Sequence, residues 1–345
     1  MSALLTLTPE GLYCPAGDFH IDPMRPVPRA LITHGHSDHA RAGHGAVLAT
    51  GETLAIMAIR CGENFSRAQQ AAGLSEKIGM GETTVSFHPA GHVLGSAQIA
   101  IEGRHEGRLT RIVVSGDYKR QHDPTCLPFE PVRCDIFITE ATFGLPVFRH
   151  PEARHEIDRL LASCKLFPER THLAGAYSLG KAQRVAAVLR EVGYDRPIYL
   201  HGAMEKLMAF YASRGVNLGE TRKISAADRS ELVGEIVICP PSAINDAWAG
   251  KFPDAVAAFA SGWMRIRARA RQQGVELPLV VSDHADWDDL TATVLETGCS
   301  EVWVTHGEAD ALVHWAQTRQ LRAQPLHMLG YGKEEDPVAA EGGTT

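Results

Sequence analysis

The stretch Thr33-His34-Gly35-His36-Ser37-Asp38-His39 packs four potential metal ligands into six residues, directly after the apolar run Arg29-Ala-Leu-Ile. Core packing does not explain such crowding of imidazole and carboxylate groups. On an extended loop alternate residues point the same way, so His34 and His36 face one ion while Asp38 and His39 turn toward a second. Two ions about 3.5–4 Å apart are usual in binuclear hydrolases. The stretch therefore predicts an open, catalytic metal site.

Further candidate ligands follow later apolar runs of the chain. His92 follows Pro-Ala-Gly, Asp117 follows Val-Ser-Gly, and His306 follows Val-Thr. Short β-type runs alternate with helical stretches, which predicts a layered α/β fold whose buried strands deliver polar residues to one sheet edge. No cysteine lies among these residues, which argues against a closed structural zinc site, and imidazole with carboxylate suits zinc, manganese or iron.

The composition is that of an ordinary globular protein. The chain has 345 residues with 34 Lys+Arg and 41 Asp+Glu, a net charge of −7. No window approaches the roughly 18–20 apolar residues of a membrane span, and the start lacks the basic and apolar regions of a signal peptide. The seven cysteines are scattered and form no C-x-x-C pair. We therefore expect a cytoplasmic protein with reduced thiols and no membrane partner.

The middle of the chain differs from its flanks. Residues 151–275 are helix-rich and carry a net charge of +5, against −12 for the rest. The metal-type motifs stop near Glu140 and resume at His284. These changes predict a first domain built from residues 1–149 and 276–332, an α/β insert at 150–275, and a flexible polar tail at 333–345.

The order of these motifs, H-x-H-x-D-H, G-H, G-D and H-G, resembles the metallo-β-lactamase fold of binuclear hydrolases, an α/β αββα sandwich. The resemblance covers essentially the whole chain. It implies that Asp22, in His20-Ile-Asp22-Pro, braces the histidine loop. It further implies that the ligands divide into a first metal site with His34, His36 and His92, a second site with Asp38, His39 and His306, and Asp117 as the bridge between them.

Three more features resemble the β-CASP subgroup of nucleic-acid-cutting enzymes. They are Thr139-Glu140-Ala-Thr-Phe-Gly144, Ser282-Asp283-His284-Ala-Asp286, and a cap insert containing Tyr177-Ser-Leu-Gly-Lys-Ala-Gln183. By that resemblance Glu140, His284 and His306 occupy the subgroup-specific positions. His284 is then placed to donate a proton to the departing oxygen, and Glu140 to orient its ring.

The overall order resembles, more narrowly, the bacterial ligase-associated DNA exonucleases, a group also described as messenger-RNA 3′-end processing factors. This resemblance implies a DNA exonuclease in repair or end processing, which uses a hydroxide activated by two divalent ions. Zn²⁺ is the expected metal and Mn²⁺ the alternative. The implied partners are DNA, including single strands, an ATP-dependent DNA ligase and a helicase.

Substrate contacts need local positive charge, since the chain as a whole is acidic. The candidates in the insert are Arg265, Arg267, Arg269 and Arg271, which alternate along the sequence. An extended segment would place all four on one face, whereas a helix would spread them around its surface. Lys181 and Arg184, at a predicted helix start, are further phosphate candidates, with ordinary helix-surface charge as the alternative.

Three other functions remain open at this point. The first is RNA 3′-end processing, favoured by His306, because the last subgroup motif tends to be His in RNA-acting members. The second is a catalytically silent nucleic-acid-binding scaffold. The presence of a suitable residue at every ligand position argues against it. The third is a small-molecule metallo-hydrolase of the thioester or lactam type, a class that generally lacks the long insert and the Glu140 and His284 positions.

Overall fold

A computed structural model describes residues 4–105, 107–224, 232–252 and 254–326. The strands in these residues are β1 (Thr6–Thr8), β2 (Gly11–Cys14), β3 (Phe19–Ile21), β4 (Arg29–Leu31), β5 (His44–Ala49), β6 (Ser66–Ala71), β7 (Ile78–Met80), β8 (Thr83–Pro89), β9 (Ala97–His105), β10 (Arg108–Val114), β11 (Ile136–Ala141), β12 (His172–Gly175), β13 (Ile198–Leu200), β14 (Thr221–Lys223), β15 (Ile236–Cys239), β16 (Val256–Ala260), β17 (Leu277–Leu279), β18 (Glu301–Gly307) and β19 (Arg322–Pro325). The α-helices are α1 (Gly51–Cys61), α2 (Ala153–Leu166), α3 (Lys181–Glu191), α4 (Glu205–Ser213), α5 (Arg267–Gln272), α6 (Trp287–Thr297) and α7 (Ala309–Gln317).

The chain divides into two compact units. Among the described residues, unit 1 comprises 4–105, 107–122, 126–149 and 284–326, and unit 2 comprises 123–125, 150–224, 232–252 and 254–283. The sequence placed the end of the insert at 275, but unit 2 continues to Asp283 because β17 pairs with β16 and extends its sheet, with Ala258 opposite Leu277. The predicted tail at 333–345 lies outside the described residues.

Unit 1 contains two sheets that face each other across one apolar core. The first sheet has the order β1-β2-β3-β4-β5-β6 and the second β19-β18-β11-β10-β9-β8-β7. Phe19 and Leu31 of the first sheet share a buried cluster with Phe87, Ile99 and Trp303 of the second. Along β8 buried positions alternate with half-buried ones, as expected for a strand with one face toward a core.

Helices cover the outer face of each sheet in unit 1. Met57 of α1 packs in a buried cluster with Val47 of β5. Leu290 of α6 and Leu312 of α7 pack in another with Phe137 of β11. The layers are therefore helix, sheet, sheet and helix, as an α/β protein needs in order to bury both faces of each sheet.

Parallel pairing in the second sheet decides where polar residues meet. β10 pairs in parallel with β11, and β11 pairs in parallel with β18. The carboxyl ends of these three strands therefore lie at one edge. That edge receives Asp117 just beyond β10, Glu140 near the end of β11 and His306 near the end of β18.

Unit 2 is a second α/β unit with an all-parallel sheet of order β14-β13-β15-β12-β16-β17. Its central strands β12 and β15 are buried along their whole length. Parallel neighbours need crossover connections, and helices such as α3 and α4 supply them. No helix in the described part of the chain has the length and apolar character needed to cross a bilayer.

Candidate metal centre and active site

The histidine loop of unit 1 is held by one buried carboxylate. Asp22 follows β3 with a positive φ of 43°. Its Oδ1 accepts from the Thr33 main-chain N–H at 2.8 Å, and its Oδ2 accepts from the Thr33 hydroxyl at 2.6 Å. The same Oδ2 lies 2.8 Å from Nδ1 of His39. Asp22 thus contacts both the start and the end of the loop.

Two threonines set the ring tautomer of neighbouring histidines. Because the Thr33 hydroxyl donates to Asp22, its lone pair accepts from Nδ1–H of His34, 3.0 Å away. The Thr305 hydroxyl donates to the main-chain oxygen of Thr139 and lies 2.9 Å from Nδ1 of His306. Each contact places Nδ1 of the histidine against a threonine oxygen, so that Nε2 is the nitrogen directed at Asp117. Sequence reasoning missed both threonines, although each directly precedes a candidate ligand at a strand end.

The first group of candidate ligands contains His34, His36, His92 and Asp117, all buried, with their ligand atoms within 4.8 Å of one another. Nδ1 of His36 lies 3.0 Å from Nε2 of His92. Oδ2 of Asp117 lies 3.5 Å from Nε2 of His34 and 3.8 Å from Nε2 of His92. Three imidazoles and one carboxylate therefore direct nitrogen and oxygen atoms at one small volume.

A second group contains His39, His306 and the same Asp117. Nε2 of His39 lies 3.5 Å from Oδ2 of Asp117, and Nε2 of His306 lies 3.1 Å from its Oδ1. Asp38 is at the margin of this group, with its Oδ2 3.9 Å from Nε2 of His39. Asp117 thus contributes to both groups, because its Oδ2 faces histidines of both and its Oδ1 faces His306.

A carboxylate–histidine pair adjoins these groups. Oε1 of Glu140 accepts from the Tyr118 main-chain N–H at 2.8 Å, and its Oε2 lies 2.8 Å from Nδ1 of His284. The His284 ring is 4.7 Å from the ring of His92 between centroids, and its Nδ1 is 4.0 Å from Oδ2 of Asp117. Both Glu140 and His284 are buried. Tyr118 therefore fixes the carboxylate, and the carboxylate fixes the ring.

Burial and close charges shift the titration of these groups. Burial, together with the neighbouring histidines, holds the pKa of His34 well below its ordinary value. Burial also disfavours the charged form of His39, but the Asp117, Asp38 and Asp22 carboxylates outweigh it and raise the pKa of His39 to about 10. Desolvation opposes ionisation of Asp117, yet His39, His284 and His306 hold its pKa well below the usual range. Asp117 is therefore ionised.

These residues fit divalent metal ions. Nε2 of His34 is buried and has no hydrogen-bond partner among the described residues, although the Thr33 contact leaves it as an acceptor. A buried acceptor without a donor is costly unless a cation faces it. The donor set is imidazole and carboxylate without thiolate, which suits a catalytic metal site better than a structural one.

The arginine run of unit 2 is helical rather than extended. Arg267, Arg269 and Arg271 lie in α5, and Arg265 precedes it in a 3₁₀ turn. The Arg269 guanidinium covers the ring of Trp263 at 3.9 Å from the centroid. Arg267 and Arg271 are exposed and, four residues apart, share a face of the helix. The extended alternative, in which all four arginines share one face, is therefore wrong.

Lys181 and Arg184 lie inside unit 2, not on its surface. Both are 0% exposed. Nζ of Lys181 lies 3.6 Å from Oδ2 of Asp283, and Nε of Arg184 donates to Oδ2 of Asp123 at 2.7 Å. Buried cations paired with carboxylates are not available to phosphate. The structure thus corrects both the phosphate reading and the surface-charge alternative, because carboxylates distant in sequence neutralise the two side chains.

Comparison with known proteins gives relatives but no matching family model. Over 97% of its length the chain is 28% identical to a probable DNA ligase of Opitutus terrae, covering 32% of that protein. It is 29% identical to a ribonuclease of Thermus thermophilus, covering 54% of this chain and 48% of the relative. It is 31% identical to subunit 3 of the cleavage and polyadenylation specificity factor of Dictyostelium discoideum, covering 38% of this chain and 17% of the relative. The chain thus spans at most about half the length of these relatives.

A solved structure of a protein of unknown function from Enterococcus faecalis matches with a TM-score of 0.57 at 15% identity, covering 88% of this chain and 80% of that one. This match concerns the fold alone. The curated relatives include nucleases. They confirm the predicted resemblance of this chain to the metallo-β-lactamase nucleases of the β-CASP subgroup. Its similarity to a probable DNA ligase is consistent with the ligase-associated group.

Proposed function

We propose that the chain is a metal-dependent phosphodiesterase with a metallo-β-lactamase αββα fold and a β-CASP insert, acting as an exonuclease on DNA ends in repair. The observation that carries this proposal is the convergence of five histidines on Asp117, with the Glu140–His284 pair beside them. Two adjoining ligand groups that share one carboxylate suit two ions better than one. The sequence similarity to a probable DNA ligase over almost the whole chain supports DNA as the substrate.

The residues that would hold the ions are His34, His36, His92, Asp38, His39 and His306, with Asp117 shared. When bound, divalent ions of the zinc or manganese type neutralise phosphate oxygens and lower the pKa of water. The protein supplies the geometry: Asp22 and Thr33 keep His34 and His39 with Nε2 facing Asp117. Such supporting contacts orient ligands before a metal arrives.

His284 carries the proton-transfer step in this proposal. Glu140 accepts from Nδ1–H of the imidazole, orients the ring and stabilises its protonated form. Nε2 is then the atom that gives a proton to the departing sugar oxygen. An alkoxide leaving group needs this proton, and a positioned general acid contributes typically 10²–10⁴-fold.

The polyanionic substrate would meet the arginines of α5. Arg265, Arg267 and Arg271 are exposed, and their segment contains no acidic residue. We expect Arg267 and Arg271 to contact successive phosphates, while Arg269 stays against Trp263. Removing two phosphate contacts should lower the slope of log Kd against log salt by roughly 1.4–1.8, since each contact releases condensed counterions.

Cleavage of end-labelled single-stranded DNA and of RNA with the same sequence tests the proposal. The assay compares the wild type with Asp38→Ala in zinc and in manganese. DNA shortening that is lost in Asp38→Ala supports the proposal, and the product ladder gives the polarity. No cleavage of either polymer by the fully metallated wild type would refute it and favour a binding scaffold or a small-molecule hydrolase.

RNA is the second candidate substrate. The Thermus relative is named a ribonuclease, and this chain has His306 at the last subgroup position. Cleavage of RNA without cleavage of DNA would select this function. Of the proposed partners, a DNA ligase has support from the probable DNA ligase among the relatives. The helicase partner stays a prediction.

A further inference from the structure

An ionic cluster, which we call the clamp cluster, is buried in unit 2 and consists of Lys181, Arg184, Asp123 and Asp283. Lys181 and Arg184 lie one turn apart on α3. The Arg184 guanidinium donates from Nε to Asp123 Oδ2 at 2.7 Å, and its Nη1 lies 3.2 Å from Asp283 Oδ1. The Asp123 and Asp283 side chains are only 4% and 1% exposed. Two cations and two carboxylates thus balance inside the unit.

Arg184 is the member that joins separate parts of the chain. Nη2 donates to Asp123, and Nη1 donates to the main-chain oxygen of Ser282. The guanidinium therefore binds the segment at 123 and the segment at 282–283 at the same time. A rigid planar fork of five N–H donors can do this, whereas a lysine ammonium is a point charge that cannot reproduce the geometry.

Stability alone does not account for such a cluster. Burying charges costs several kcal/mol per ion, and well-packed apolar residues in place of a buried ion pair are often neutral or stabilising. What a charged fork adds over apolar packing is a defined position for the groups that it binds. The role of the clamp cluster therefore depends on which functional residues adjoin the two segments that it binds.

Both segments lead directly to the candidate active site. Asp283 immediately precedes His284, and Asp123 follows Asp117 by six residues. Within unit 1 the same two segments are joined again, because the Ala285 N–H donates to the Tyr118 oxygen at 2.6 Å. Hydrogen bonds therefore hold the main chain on both sides of His284. Arg184 binds the Ser282 oxygen before it, and the Tyr118 oxygen binds the Ala285 N–H after it.

We propose that Arg184 is a positioning residue for His284. It fixes the main chain at Ser282 and Asp283, so that the His284 ring meets Glu140 at 2.8 Å and presents Nε2 to the leaving group. This inference rests on the proposed function, in which His284 donates the proton. Loss of the fork leaves the ligand groups intact and moves the proton donor, and a misplacement of about 1 Å can cost roughly 10²-fold.

The test is a double-mutant cycle on the full chain with Arg184→Lys, His284→Ala and the double variant. Two substrates are used: end-labelled DNA, and bis(p-nitrophenyl) phosphate, whose leaving group departs without a proton. We expect Arg184→Lys to lower kcat on DNA about tenfold or more, with KM and metal content within about twofold. On the nitrophenyl ester, and in the His284→Ala background, it should change kcat by less than about twofold.

Arg190→Lys is the matched control. Arg190 lies on the same helix and binds main-chain oxygens of Leu218, Tyr194 and Arg196 instead of the segments that lead to His284. It should leave the DNA-to-ester ratio unchanged. Equal losses by Arg184→Lys on both substrates, or in both backgrounds, would show a merely structural role and overturn the inference.

Hydrogen exchange provides a readout that needs no activity. Arg184→Lys should accelerate amide exchange across residues 282–287 at least tenfold and leave β12 unchanged, whereas Arg190→Lys should not. Asp123→Asn removes the charge of one partner of Arg184 and keeps the shape of the Asp123 side chain. If Arg184→Lys does not accumulate as folded protein, Asp123→Asn replaces it and should give the same exchange pattern. If the wild type cuts no polynucleotide, the proposed function fails. Unchanged exchange would then separately overturn the positioning role.

Discussion

Two buried polar clusters differ in how their charge is satisfied. In the clamp cluster of unit 2 every cation faces a carboxylate, with Arg184 on Asp123 and Lys181 near Asp283. Around Asp117 in unit 1, imidazole nitrogens and carboxylate oxygens face one another instead, including the pair of His36 and His92 nitrogens at 3.0 Å. The first cluster contains as many cations as carboxylates, whereas the second has the donor atoms that a cation needs. Burial of polar groups alone therefore does not identify a metal site.

The largest expected difference between the clusters comes from Asp117→Asn. We expect a loss of activity of about 10³-fold or more and a loss of bound metal, because the shared carboxylate supplies charge to both ligand groups. The fold should remain, since the side chain keeps its shape. Metal analysis, cleavage assays and circular dichroism together check this. Full metal content in the variant would contradict the assignment of Asp117 as the shared ligand.

The same chemical change in the other cluster, Asp123→Asn, should act on stability instead. It removes one of the two carboxylates that face the buried Arg184 and leaves only Asp283, and breaking a buried pair costs about 3–5 kcal/mol of unfolding free energy. Urea denaturation measures this cost, and metal content below the transition should equal that of the wild type. A variant as stable as the wild type would show that the clamp cluster is not energetically coupled in this way.

His284→Ala tests whether the proton donor and the metal ligands of unit 1 have separate roles. We expect kcat for a polynucleotide to fall by about 10²–10⁴-fold with nearly full metal occupancy, because the residue supplies a proton rather than a metal contact. Asp38→Ala is the comparison, and it should reduce both activity and metal content. Equal metal loss in the two variants would refute the distinction.

The smallest effect concerns Thr33→Val, which removes a hydroxyl and keeps the shape of the side chain. Without the hydroxyl, Nδ1 of His34 loses its acceptor, and contacts of this kind are worth about 10–100-fold in metal affinity or activity. Competition with a chelator measures the affinity. Thr33→Ser retains the hydroxyl and should behave as the wild type, so equal weakening in both variants would assign the effect to packing.

The candidate ligands could be predicted from sequence because several of them are adjacent. His34, His36, Asp38 and His39 share one loop, so no long-range information was needed to group them. The polar residues that fix the rings were harder to predict. Thr33 and Thr305 look like ordinary strand residues until their hydroxyls are seen to donate on one side and accept on the other.

The cationic residues of unit 2 show where prediction from sequence failed. The arginine run fitted both an extended and a helical segment, and the helix prevailed, with Arg269 packed on Trp263. Lys181 was expected at a surface, but a carboxylate from a distant segment lies beside it. The insert was expected to end before β17, and only strand pairing placed that strand in unit 2.

The sequence by itself determined which residues are candidate metal ligands, since dense histidine and aspartate motifs can be recognised without knowledge of the fold. Only the tertiary structure decided which distant groups meet. Glu140 and His284 are 144 residues apart and Arg184 and Asp123 are 61 apart, yet both pairs are in contact. The physical reason is that strand pairing and chain crossings set these distances, and burial then decides whether a charge faces a metal, a partner or solvent.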